Sequence, residues 1–342
     1  MYICEKLHFN RFFMSLMKAI FPGLLLVLVL ALLSFWLSGF LPIGAVVVGI
    51  SLGIFFGNLF SVKETWLSGI QFAEKQILAW AIILMGVKLD FNIVKELGFK
   101  AILIIIAAII FTISISLILG RLLHINRRLA LLLGIGNGVC GSSAIAATEK
   151  IIGADKHEVG ISVTVVNFLG VLGMFLLPLI AKFMLVFNDL QSGFLIGNTL
   201  QAVGQVVAAG FSINETVGHT ATIVKMMRIL MLTPIVLTLL YYFHQKSKKQ
   251  VVVVKKQGLP YFIIGFILMS FIPSFHLLSP DIIKVLGKLS HYLLLIAMVA
   301  IGLKISFKHI IKQGGKALLA GSLIFLFQIL FSVLMIVLLI RK

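Results

Sequence analysis

Lys225 and Arg228 stand three residues apart in TATIVKMMRILMLTP (220–234), a stretch otherwise apolar enough to lie in a bilayer. That spacing puts both cations on one helix face. Ionisable side chains at membrane depth are costly and tend to be functional. Snorkelling to a membrane surface is the ordinary alternative, but both residues sit well inside the stretch. The chain's eleven acids are Glu5, Glu64, Glu74, Asp90, Glu96, Glu149, Asp155, Glu158, Asp189, Glu215 and Asp281, and none falls mid-span. The pair is therefore expected to lack a carboxylate partner and to attract an anion. The same distribution argues against an antiporter built on buried aspartates and against a carboxylate proton relay.

A second group lies in GIGNGVCGSSAIAATEK (134–150), with four glycines, Asn137, Cys140, Ser142 and Ser143. Glycine weakens a helix by ~1 kcal/mol per interior position. Broken backbone persists in hydrocarbon only where protein shields it or it lines a cavity. The spacing predicts a helix break at which Gly136, Gly138 and Gly141 let backbone approach a ligand. A second half-helix starting near Ser142 would aim its N–H groups there. Ser142 and Ser143 would cap that half-helix and Asn137 would coordinate from the first half. Close packing through small residues is the bland reading of the same glycines. A similar interruption follows at GNTLQAVGQVVAAG (197–210), where Asn198, Gln201 and Gln205 are the polar candidates. Gln201 and Gln205 share a helix face; interhelical hydrogen bonding is their alternative role.

The elements that must position these groups are membrane helices. Hydrophobic residues make up 61% of the 342 and charged residues 12%, about half the charge of a soluble domain. Eleven apolar spans are expected, at about 20–38, 41–60, 72–88, 101–120, 129–150, 158–183, 191–211, 220–243, 259–276, 285–303 and 317–339. The net charge of +18 lies mainly in short loops. With the N-terminus cytoplasmic, inner segments carry Lys and Arg over outer ones by about two to one. That pattern excludes a nucleic-acid role better than it supports one. Cys4 and Cys140 form no metal or disulfide pattern, and no histidine pair has zinc-site spacing. No cofactor or metal is expected. Ser143 alone is a weak nucleophile signal, so an enzyme is not the expectation. The N-terminal stretch reads as a retained span without a cleavage site.

GVKLDFNIVKELGFKAIL (86–103) matches GLKISFKHIIKQGGKALL (302–319) at seven of eighteen positions. Copies placed seven spans apart face opposite sides, the inverted repeat of secondary transporters. The expectation is one transmembrane domain over 1–342, with repeat-like halves at about 41–183 and 191–342 and a cytoplasmic loop at 244–258. One conflict arises. As spans five and seven, the interrupted segments would run the same way, whereas inverted copies run oppositely. A re-entrant hairpin or a circularly permuted second repeat would resolve it.

VCGSSAIAATEKIIGADKHEVGISV, VVNFLGVLGMFLLPLI, ILMGVKLDF and VGQVVAAGFSINETVGHTATIVKMMRILMLTPIVL together resemble the YeiH-type family of bacterial inner-membrane proteins, which goes by the name of sulfate exporter. The layout is also similar to bile-acid/sodium symporter-like carriers. The resemblance implies an all-α polytopic fold with discontinuous helices in the bacterial inner membrane. It matches Cys140, Gly141, Ser142, Ser143 and Ala144 to the family's Cys-Gly-small-Ser-Ala turn and Lys225 and Arg228 to its basic pair. At 200–204 the chain departs, reading Leu-Gln-Ala-Val-Gly where the family pattern is His-Asp-Thr-Ser, so an ionisable pair is missing. The expected function is alternating-access transport of a small anion, sulfate or another sulfur oxyanion or sulfonate. An anion channel, or an ion-coupled carrier of an organic anion, is the alternative. The site is expected at Asn137, Gly138, Cys140, Gly141, Ser142, Ser143, Asn198, Gln201, Gln205, Lys225 and Arg228. The wide apolar faces suit a homodimer as well as lipid.

Overall fold

The computed structural model describes residues 2–40, 44–60, 62–88, 91–244, 261–274, 278–305 and 315–340. Fifteen α-helices follow in order. They are α1 (Tyr2–Ser38), α2 (Ala45–Leu59), α3 (Glu64–Phe72), α4 (Leu78–Met85), α5 (Phe91–Leu122), α6 (Arg127–Gly138), α7 (Ser142–Ile152), α8 (Lys156–Leu179), α9 (Asp189–Thr199), α10 (Val203–Ile213), α11 (Glu215–Leu230), α12 (Leu232–His244), α13 (Tyr261–Ser274), α14 (Pro280–Lys304) and α15 (Gly315–Leu339). Among the described residues, seven helical stretches are long and apolar enough to cross a membrane. The protein is all-α and polytopic. Two expected features lie outside the described residues: most of the 244–258 connection, and 306–314 within the second repeat copy.

The chain forms two compact units, 1–89 with 261–307, and 90–260 with 308–342. Each takes a piece of both expected halves, 41–183 and 191–342. In the first unit α2 and α14 meet along small residues. A Cβ on Gly57 would lie 2.6 Å from the Leu303 carbonyl oxygen, and one on Gly302 would collide with that of Ile50. Side-chain-free faces let the two backbones touch, the usual way apolar helices associate without a hydrophobic drive. Lys304 and Glu74 add a 2.6 Å ion pair.

The second unit holds the candidate site, and its helix directions follow from α15. Gly321 of α15 lies against Leu133 of α6 and against Val165 and Leu169 of α8. Further along α15, Phe325 meets Gly173 of α8, and the Gln328 amide donates to the Asn137 carbonyl at 3.2 Å. So α6, α8 and α15 run the same way. Two successive helices in one direction need a reversal between them, and α7 supplies it. Its Ile145 side chain folds over Gly136. The break sits at Gly141, with φ 71° and ψ −132°, a conformation only glycine adopts without strain.

The second interruption turns back as well. Gln191 donates to the Ile340 carbonyl at 2.9 Å and Asn198 to Ser332 Oγ at 3.1 Å, so α9 runs against α15. Gly193 faces Thr220, Gly197 faces Val224, and Gly210 faces Gly218. Hence α9 runs with α11 and α10 runs against it. At the base of this hairpin the Asn214 amide donates to Asp189 Oδ2 at 2.9 Å.

Residues 129–150 and 191–211 are therefore re-entrant hairpins rather than crossings, inserted from opposite ends of the unit. Each arm is 11 or 12 residues, about 16–18 Å of helix. That is roughly half a hydrocarbon core of ~30 Å, so the tips stop at mid-depth. Length and hydropathy do not separate a broken crossing from a hairpin; the turn geometry does. Starts are fixed by ordinary capping. Asn126 accepts from Arg128 N at 3.1 Å, and capping boxes Asp155/Glu158 and Asn188/Gln191 open α8 and α9.

The direction conflict resolves through both devices together. α5, the first hairpin and α8 form one copy; α15, the second hairpin and α11–α12 form the other, with α15 displaced to the chain's end. Extending the 86–103/302–319 alignment puts Thr112 on Gln328 and Ser116 on Ser332. Thr112 lies beside Gly138 and Ser116 beside Gly134. Their counterparts Gln328 and Ser332 bond to the second tip, at the Asn198 carbonyl and the Asn198 amide.

Candidate functional site

The two tips meet. α6 ends at Gly138 and α9 at Thr199, each presenting carbonyls that a helix end leaves without intrahelical donors. Lys225 and Arg228 of α11 lie between them, 0% and 1% exposed. Lys225 Nζ donates to the Val139 and Leu200 carbonyls, both at 2.7 Å. Arg228 Nη2 donates to the Asn137 and Gly138 carbonyls at 2.7 Å. Its Nε reaches Gly138 O at 3.2 Å, and Nη1 reaches Gly197 O and Leu200 O at 3.3 Å.

This corrects the expectation that the pair is unpartnered. Both cations are spent on the negative ends of two half-helices, which take the place of a carboxylate. Guanidinium has five N–H donors, and all are directed at carbonyls here. The charge balance nevertheless stays positive. Two helix ends of about −0.5 and two of about +0.5 meet at the tips and cancel, and no described carboxylate offsets the two basic side chains. The acids of this unit with described side chains sit at helix ends: Glu149 in the last turn of α7, and Asp155, Glu158, Asp189 and Glu215 at the starts of α8, α9 and α11.

Polar side chains tie the tips together. Asn137 Nδ2 donates to the Leu133 carbonyl at 2.9 Å, which leaves its Oδ1 to accept from Gln201 Nε2 at 2.8 Å. Gln328 Nε2 lies 3.2 Å from both the Asn137 and Asn198 carbonyls. Gln205 Oε1 accepts from Ala202 N at 3.0 Å and so caps α10. Cys140 is buried, and its Sγ accepts from Ser143 Oγ at 3.0 Å. All eleven expected residues thus fall on the tips or on the α11 face against them.

Ser142 and Ser143 differ from their expected part. Gly141 holds the N-cap position, and Ser143 Oγ turns back to the Cys140 carbonyl at 3.0 Å. Both serines lie exposed in the first turn of α7, where backbone N–H groups lack intrahelical acceptors. Among the described residues, no group of three or more His, Cys, Asp or Glu is placed to hold a metal.

Four residues were missed: Asn167, Gly170, Gln328 and Ser332. The first two carry no sequence signal of their own and are placed by the structure. Ile-Gly-Asn at 135–137 recurs at 196–198, and Gly136 lies against Val166 of α8 as Gly197 lies against Val224 of α11. Pairing Val166 with Val224 puts Asn167 on Lys225 and Gly170 on Arg228.

Opposed re-entrant hairpins in a helical bundle, with buried cations at their meeting point, define an all-α polytopic membrane protein whose polar centre lies at mid-depth. Residues 22–321 match the family described as Conserved hypothetical protein 698, and the chain belongs to that family. It is 35% identical over 330 residues to the UPF0324 membrane protein YdhF of Lactococcus lactis subsp. lactis, covering 94% of this chain and 100% of that one. It is 32% identical over 315 residues to the UPF0324 inner membrane protein YeiH of Escherichia coli K12, covering 89% and 90%. Neither name carries an enzymatic activity.

Proposed function

We propose that the protein is a secondary transporter of a small anion, working by alternating access around the hairpin tips. The observation that carries this reading is the basic centre: two buried basic side chains, four converging half-helix ends and no described carboxylate at mid-depth. Half-helices meeting near the midplane in inverted copies are the architecture of secondary carriers. The first turn of α7 offers the N–H groups of Ser142 and Ser143, which precede the first intrahelical acceptor, and the exposed hydroxyl of Ser142. A helix N-terminus with that equipment binds anions. Sulfate and related sulfur oxyanions or sulfonates are the first candidates.

Orientation follows from charge. The end of the unit where α5 meets α6 and α7 meets α8 carries Arg121, Arg127, Arg128, Lys150 and Lys156. The opposite end carries Lys95, Lys100 and Lys182. The arginine-rich end would be cytoplasmic in a bacterial inner membrane, and the distribution of Lys and Arg over the whole chain favours a cytoplasmic N-terminus.

The test is anion-dependent thermal stabilisation of purified protein in low chloride, with sulfate, sulfite, thiosulfate, taurine and small carboxylates. A ligand at 100 times its Kd adds ~2.7 kcal/mol. Each stabilising anion is then followed as flux into proteoliposomes. Saturable flux without large currents is the expected result; large unitary currents would make the protein a channel, and no response to any anion would overturn the anion reading.

A further inference from the structure

The two inverted copies treat their shared centre differently. On α11 the equivalent positions are Lys225 and Arg228, which fill the space between the tips. On α8 they are Asn167 and Gly170, and the Gln201 and Gln205 side chains lie against Gly170. A Cβ on Gly170 would lie 2.6 Å from Gln201 Oε1 and would collide with Gln205 Oε1. Asn167, one turn earlier, is exposed, and its carbonyl faces Gln205 Nε2 at 3.4 Å. Gly141, the N-cap of α7, borders the same space: a Cβ there would touch Gln201 Cβ at 3.4 Å and Val166 at 3.8 Å.

Gln201 Oε1 is 0% exposed and has no hydrogen-bond partner. Its orientation is set by the chain of bonds behind it. Leu133 O takes the Asn137 amide, so Asn137 Oδ1 must accept, so Gln201 must turn its Nε2 there and its oxygen away. A buried acceptor left without a donor is costly, and nothing in the described protein supplies the donor.

We infer that the substrate binds on the α8 side, between the α7 N-terminus, Gln201 and Asn167–Gly170, and that it carries both an anionic group and an N–H or O–H donor. The anionic group lies on the first-turn amides of α7. The donor goes to Gln201 Oε1. An aminosulfonate, a hydroxy acid or a singly protonated oxyanion has this chemistry; a bare monoanion whose tail is a methyl group does not. The inference rests on the transporter reading above and narrows its substrate class.

The test compares near-isosteric pairs differing in one donor: glycolate against propionate, and isethionate or taurine against propane-1-sulfonate. Affinities come from thermal-shift titration of the full chain in detergent. A preference for the donor-bearing member on the order of 10- to 100-fold is expected. It should vanish in Gln201→Met. Gly170→Ala is the second variant: its Cβ would meet the ends of the Gln201 and Gln205 side chains and displace Gln201 Oε1, and its melting temperature in the absence of ligand reports whether the fold absorbs the change. Equal affinity within every pair, or a preference that survives both variants, overturns the inference and leaves the anion transporter standing. Absence of binding by every anion overturns both.

Discussion

α8 and α11 occupy matching places in the two inverted copies, yet α11 meets the tips with two basic side chains and α8 with an asparagine and a glycine. α11 sends Lys225 and Arg228 into the helix ends of both hairpins, and every described bond they make is to a carbonyl. α8 offers Asn167 and Gly170, and across from them stands an acceptor without a donor. The asymmetry teaches that residues with the most functional appearance can be structural. Charge at mid-depth draws the eye, but here it holds two hairpins together, and the acceptor left without a donor lies where side chains are small.

Four substitutions break or sharpen this contrast. Arg228→Met should be the most damaging, since it strips donors from five contacts at two helix ends; a loss of ~3–5 kcal/mol is expected, read as a collapse of thermal stability in detergent. Gln328→Leu removes a donor shared by both tips and leaves a buried carbonyl wanting, for ~1–3 kcal/mol in the same measurement. Ser142→Asp moves the other way. A carboxylate in the first turn of α7 complements the helix end and should add up to ~1 kcal/mol. It should also abolish stabilisation by added anions, because it occupies their place; an undiminished anion response would remove α7 from the site. Asn167→Ala should change stability by less than ~0.5 kcal/mol, as exposed positions do. Anion affinity by titration should nonetheless fall, and an unchanged affinity would take Asn167 out of the site.

Much of this was legible in the chain. The glycines at 134–141 announced a break, and Gly-Asn at 136–137 and 197–198 marked the two tips. The absence of mid-span acids pointed to a positive centre. Two readings failed for definite reasons. Lys225 and Arg228 looked unpaired because only side-chain partners are visible in sequence, whereas their partners are backbone carbonyls from helices 25 to 91 residues away. The hairpins read as crossings, with a re-entrant hairpin as one alternative, because an apolar stretch of about 20 residues has the same composition whether it continues or doubles back.

The sequence by itself determined the membrane setting, the helical class, the places where helices stop and the sign of the buried charge. Those are local or additive properties, set by hydropathy, capping and residue counts. Tertiary structure alone decided that both interruptions reverse, that α15 completes the second inverted copy, and that Lys225 and Arg228 bond both tips from one side while a glycine and an unpartnered glutamine oxygen meet on the other. These depend on which distant segments share a space, and that is settled by packing around α15 rather than by any single stretch of residues.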